Sequence, residues 1–134
     1  MKSKVLFVCV ENSCRSQIAE GFAKAFGADV LESYSAGSRP SGKVNPTAIE
    51  LMKEKNIDLS KNQSKSLNDL PQGPWDYVIT MGCGDACPFV AAKERMDWGI
   101  PDPKNLPPDE FRKVRDLIAS KVQELIKNVQ RKNS

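Results

Sequence analysis

Residues 5–16 read Val-Leu-Phe-Val-Cys-Val-Glu-Asn-Ser-Cys-Arg-Ser. The apolar run Val5-Leu6-Phe7-Val8 stops at Cys9. After five intervening residues comes Arg15, then Ser16 and an amphipathic stretch, Gln17 to Phe26. That is strand, tight loop and helix, with a thiol at the loop's entrance and a guanidinium at its exit. A loop that feeds a helix N-terminus aims unpaired backbone N–H groups into one hollow, and the helix dipole adds positive potential there, so an oxyanion fits. Arg15 adds a planar fork of donors suited to two oxygens of a tetrahedral anion. Cys9 shares that field, which favours thiolate over thiol, and the Ser16 hydroxyl is a candidate donor to the same sulfur. A thiolate facing a bound tetrahedral oxyanion is set for displacement at its central atom. The candidate site is therefore Cys9 as nucleophile with Val10, Glu11, Asn12, Ser13, Cys14, Arg15 and Ser16 around the anion. A buried core cysteine beside a surface arginine is the plainer alternative; the strand before and the helix after the motif speak against it. Cys14 has no obvious chemical task within the loop and is expected to pack.

The chain of 134 residues fits a single domain, residues 1–134, with enough length for a real core. Twenty Lys and Arg against 17 Asp and Glu give a mild net charge of +3, and the basic residues late in the chain, such as Lys121, Lys127, Arg131 and Lys132, read as a solvated helix face. No nucleic-acid partner is expected. The sequence has no histidine, which excludes Cys-His catalysis and any His-containing metal site. No run approaches the roughly 20 apolar residues of a membrane span, and Met1-Lys-Ser-Lys does not read as a signal peptide. A cytoplasmic protein off the membrane is the expectation. Its four cysteines then point to redox or metal chemistry rather than structural disulfides. They fall as Cys9-x4-Cys14 and Cys83-x3-Cys87, and one ends a strand at an anion loop, so no metal site is assigned.

In chain order, residues 4–9 predict a central parallel strand, apolar on both faces. Residues 16–26 predict a helix with Ile18, Phe22 and Phe26 at four-residue steps and Gly27 as its stop. Residues 29–35 predict a second strand, with a reversal near Ala36-Gly37 and a polar loop over 38–43. Asn45-Pro46 opens a helix, Asn as cap and Pro at the first position; Ile49 and Met52 face inward and Asn56 ends it. Asp58 to Gln72 reads as loop and short turns. Tyr77 to Met81 is a third strand, and Met96 to Trp98 a short fourth. After Pro107-Pro108 a long helix runs to about Val129, with Phe111, Val114, Ile118, Val122, Leu125 and Val129 on one face. Strands alternating with helices predict a three-layer α/β fold, a four-stranded parallel sheet flanked by helices. Ligands of such sheets sit at the carboxyl ends of the strands, at a switch point. Cys9, Cys83 and Asp102 each follow a strand and so fall on one edge.

Val8 to Phe22, VCVENSCRSQIAEGF, resembles the phosphate loop and following helix of the low-molecular-weight protein tyrosine phosphatases, and more closely the arsenate reductases that share that fold. The likeness continues through Ser35-Ala36-Gly37, Asn45-Pro46, the Cys83/Cys87 segment and Asp102-Pro103. It implies a thiol relay. Cys9 attacks arsenate; Cys83 attacks Cys9, releasing arsenite; Cys87 then attacks Cys83, and the Cys83–Cys87 disulfide passes to a thioredoxin-type protein. Many thioredoxin-coupled members space the last two cysteines more widely, which leaves room for a glutaredoxin, a mycoredoxin or a small thiol as reductant. Asp102, between Pro101 and Pro103, matches the phosphatases' general acid. Asn12, Glu20 and Ser35 match positions that bind potassium in some relatives. A carboxylate ligand there would fall near residue 65, where this chain has Lys65, so no potassium dependence is expected.

Two glycines and an alanine around Cys83 and Cys87 suggest an accessible segment, and the two thiols are close enough in sequence to pair if the backbone bends. This pair favours a reductase. The alternative is a phosphatase of the same fold acting on phosphoesters, which needs only Cys9, Arg15, Ser16 and Asp102. Phosphotyrosine enzymes usually wall their pocket with aromatic residues, and neither Val10 and Glu11 nor the 38–43 loop offers that wall. A non-enzymatic oxyanion-binding regulator would need a partner-reading element, and none stands out. No organic cofactor is implied, and a monomer is expected.

Overall fold

The computed structural model describes residues 2–71, 73–82 and 89–133. Four strands, β1 (Ser3–Cys9), β2 (Leu31–Gly37), β3 (Trp75–Thr80) and β4 (Ala92–Asp97), form one sheet in the order β2-β1-β3-β4. Every pairing is parallel, and β1 occupies the interior with Val8 opposite both Ala36 and Thr80. The three α-helices are α1 (Arg15–Gly27), α2 (Pro46–Lys53) and α3 (Pro108–Asn133). This is the α/β architecture expected from the sequence.

Period-two alternation along β1 divides the core. Val5, Phe7 and Cys9 join one cluster, with α1, α2 and α3 packed against it; Leu6 and Val8 join another. Leu67 and Leu70, at a short 3₁₀ turn (Leu67–Asp69), and Val90 cover that second face, together with Trp75, which meets Tyr34 edge-on. Among the described residues, then, all three helices lie on one side of the sheet, and the layer expected on the other side is a turn and loop rather than helices.

The long helix α3 holds the first cluster together. Phe111, Val114, Ile118, Val122, Leu125 and Val129 are all buried. Each such side chain contributes about 1.5–3 kcal/mol by leaving water. Asp109 and Glu110 in its first turn and Arg131 and Lys132 in its last suit the helix dipole. Arg115, buried on this helix, donates to the Leu51 carbonyl and to Glu54 at the end of α2. Arg112 forks onto the same carboxylate, and the two guanidiniums hold Glu54 down at about 2. No helix among the described residues is long and apolar enough to cross a membrane.

Several boundaries differ from the sequence reading. Strand β2 continues through Ala36 and Gly37, where a reversal was expected, because both pair with β1 beside the site. Strand β3 starts two residues earlier than expected and ends at Thr80. Strand β4 starts at Ala92 rather than Met96; Lys93, Glu94 and Arg95 are exposed on an edge strand, so it carries no apolar signature. Phe26 is 45% exposed and only stacks on Phe22, since four-residue steps drift around a 3.6-residue helix. Gly27 does not terminate α1 with left-handed backbone: the helix passes to Ala28 in right-handed geometry, and a Cβ at Gly27 would stand 2.7 Å from Ile126 Cδ1. It is small to admit α3.

Candidate active site

The loop between β1 and α1 lies at the carboxyl end of the central strand, where the chain order switches sides between β1's two neighbours. Its carbonyls turn outward. Those of Cys9, Val10, Glu11 and Ser13 accept the amides of Ser38, Arg39, Ser41 and Asn45, and Ser64 Oγ also donates to the Glu11 carbonyl. The amides of residues 10–15 have no protein acceptor among the described residues. Cys14, the N-cap of α1, makes no side-chain cap bond. The helix end is thus left with donors free for an anion. Gly37 makes the tight wrap possible, because a Cβ there would fall 2.5 Å from the Val10 carbonyl oxygen.

Cys9 is buried, with its sulfur 2.8 Å from Ser16 Oγ. The neighbours of Ser16 set which of its sites remain for that bond. The Lys65 backbone amide, which can only donate, reaches Asn12 Oδ1 at 2.8 Å, and Gln17 Nε2 reaches it at 2.9 Å. Asn12 must therefore present Nδ2 to Ser16 Oγ, 2.8 Å away. Ser16 accepts there, which leaves its own proton free to donate to the Cys9 sulfur when that is a thiolate. Asn12 takes left-handed backbone, φ 51°, which asparagine tolerates better than most residues.

Arg15 is buried and spans two strand ends. Its Nη1 donates to the Met81 carbonyl at 2.6 Å and to the Ile100 carbonyl at 2.9 Å, while Nη2 lies 4.0 Å from Asp102 Oδ2. One nitrogen anchors the guanidinium and the others remain for a ligand. Gly82, at φ 88°, lets the chain after Met81 lie against Gly99. Asp102, half exposed, accepts the Lys104 amide at 3.1 Å. Lys104 Nζ then reaches across to both carboxylate oxygens of Glu11, at 2.8 and 3.1 Å, and that contact raises the lysine's proton affinity.

Cys9, Val10, Glu11, Ser13, Cys14, Arg15 and Asp102 line one cavity of about 240 Å³. That falls below the ~300 Å³ at which pockets begin to suit drug-sized ligands, and so favours a small anion. Cys14 is also in the wall, but burial pushes its thiol up to about 12, and it stays protonated and unreactive.

The candidate residues from β1 to Asp102 are thus brought together. Asn12 and Ser16 stand behind the cavity wall and act on Cys9 rather than lining it. Cys83 and Cys87 lie outside the described residues. Beneath the loop, buried Glu20 accepts from Ser35 Oγ at 2.6 Å, and Lys24 and Lys65 bring their ammonium groups to 3.0 and 4.0 Å of it. Among the described residues no group of three or more His, Cys, Asp or Glu side chains is gathered to hold a metal. Gln17 and Lys104 were not singled out from sequence, and Gly37 was read as a turn residue; a basic residue two positions after Asp102 gives no local sign that it faces Glu11.

The family model described as low molecular weight phosphotyrosine protein phosphatase matches residues 4–134. A curated relative, the glutaredoxin arsenate reductase of Synechocystis sp., is 40% identical over 129 residues, 94% of this chain and 98% of its own. A solved structure titled an arsenate reductase in the phosphate binding state superposes with a TM-score of 0.86 at 41% identity, covering 96% of this chain and 99% of its own. Another, titled an arsenate reductase in oxidized state, gives 0.85 at 39% identity with the same coverage.

Proposed function

We propose a reaction for this protein on one premise: the chain belongs to the low molecular weight phosphotyrosine protein phosphatase family. Within that family it reduces arsenate to arsenite by a cysteine relay. The observation that carries this reading is the Cys9 sulfur, held 2.8 Å from the Ser16 hydroxyl at the base of a small cavity shared with Arg15 and Asp102. Its solved relatives include arsenate reductases in a phosphate binding state and in an oxidized state, the two kinds of state a thiol-dependent reduction requires.

The anion binds to the free loop amides and to the unanchored nitrogens of Arg15. The Cys9 thiolate, stabilised by the Ser16 O–H, attacks As(V). A hydroxyl of arsenate leaves as water, with Asp102 in place to pass the proton, and an S–As bond forms. The Cys83 thiolate attacks the Cys9 sulfur. The new S–S bond forms as the S–As bond breaks, its electron pair stays on arsenic, and As(III) leaves as arsenite. Cys87 attacks Cys83, which frees Cys9 as thiolate and leaves a Cys83–Cys87 disulfide. An external dithiol of the thioredoxin or glutaredoxin class supplies two electrons and two protons to reset it. Chain connectivity supports the hand-off: Cys83 follows two positions after Met81 in the sequence, and the Met81 carbonyl accepts from Arg15.

This cycle needs reduced thiols, which fits a cytoplasmic setting. The same cavity hydrolyses phosphoesters weakly, because Cys9, Arg15, Ser16 and Asp102 are also the parts of a phosphocysteine mechanism and arsenate and phosphate share shape and charge. The experiment is arsenate turnover by the reduced protein with a thioredoxin system and, separately, a glutaredoxin or mycothiol system. Mass spectrometry after one equivalent of arsenate without reductant should find a Cys83–Cys87 disulfide. Absence of arsenite with every reductant, alongside phosphoester hydrolysis, would leave the phosphatase reading in its place.

A further inference from the structure

Four charged side chains set the potential at the mouth of the cavity. Arg15 supplies one cation, and Glu11 and Asp102, both in the wall, supply two carboxylates. A dianionic guest would meet a net negative rim from these three. Lys104 restores the balance. It lies just outside the lining, with its ammonium on Glu11 and its backbone amide on Asp102. The pair joins the two walls, one from the 10–14 loop and one from the loop after β4.

We propose that Lys104 is a positioning residue that sets the oxyanion affinity of this cavity by cancelling the charge of Glu11. This rests on the oxyanion reading of the cavity argued above. The groups are partly exposed, at 47% for Lys104 and 34% for Glu11, so the effect is moderate and falls with salt. A mere tether is the competing role: the ion pair would then hold the 100–104 loop in place, and its charge would not matter.

Binding of inorganic phosphate to the fully reduced protein, by calorimetry at low ionic strength, separates the two roles. Lys104→Met should weaken binding about fivefold to tenfold, and Lys104→Arg should stay near the wild type. Glu11→Gln is the discriminating variant, because charge and tether give opposite signs. A charge role tightens phosphate binding there and restores the Lys104→Met, Glu11→Gln double variant to about the wild-type value. In arsenate turnover, Lys104→Met should raise KM with little change in kcat. Weaker phosphate binding by Glu11→Gln, or a double variant as weak as Lys104→Met, overturns the proposal while leaving the reductase reading standing. Failure of the wild type to bind phosphate overturns the oxyanion cavity itself, and this inference with it.

Discussion

Ser16 Oγ lies 2.8 Å from Cys9 Sγ and accepts from Asn12 at the same distance, which leaves its own hydrogen free to donate to the Cys9 thiolate. Removing that donor withdraws a hydrogen bond to the thiolate, worth about 1.5–3 kcal/mol, and lowers the fraction of Cys9 held in its reactive form. Ser16→Ala is expected to slow both arsenate reduction and phosphoester hydrolysis by about tenfold to a hundredfold. Thermal unfolding should shift little. Unchanged rates in both assays would show that the contact is structural only.

Gly37 and the Val10 carbonyl approach so closely that no side chain fits between them. Gly37→Ala must push either β2 or the loop aside. Phosphate binding should be lost or fall by well over tenfold, and stability should drop by about 1–3 kcal/mol. Calorimetry and urea unfolding on one sample measure both; near-native binding would mean the loop has slack that its hydrogen bonds do not suggest.

Cys14 gives the protein an alkaline liability. Its thiol has an ordinary value of 9.0 and is pushed up to about 12 by burial. Above pH 9 the unfolded chain releases this proton while the folded chain keeps it, so stability is whole below that point and declines as pH rises towards 12. Unfolding free energy should fall more steeply with alkaline pH in the wild type than in Cys14→Ala. Parallel slopes would contradict the burial argument. Iodoacetamide applied to the folded protein at mildly alkaline pH should spare Cys14 and modify it only after unfolding.

Lys65 places an ammonium 4.0 Å from Glu20 Oε1, which also accepts from Ser35 Oγ. With Lys24 on the other oxygen, the buried carboxylate is already compensated by fixed cations. Arsenate turnover should be the same in potassium and in sodium salts of equal ionic strength. Clear activation by potassium would refute this.

What the sequence revealed and what it hid divide along sequence distance. Cys9, Arg15 and Ser16 were legible because they sit in one strand–loop–helix unit, where local geometry dictates direction. The long amphipathic α3 was legible from its period, and the α2 cap from Asn45-Pro46, whose side chain does accept the Thr47 and Ala48 amides. Strand β4 was largely hidden because an edge strand with one wet face carries charges rather than alternation. Gly37 looked like a turn residue, since composition does not tell conformational freedom from close approach. The Glu11–Lys104 contact spans 93 positions, and the Lys65 amide reaching Asn12 spans 53; no local pattern encodes either.

The most direct measurement is arsenate turnover with a matched reductant system by Cys9→Ser, Cys83→Ser and Cys87→Ser, run beside hydrolysis of an aryl phosphoester. All three should lose arsenate turnover, while only Cys9→Ser loses hydrolysis. Full arsenate turnover by Cys83→Ser would contradict the relay.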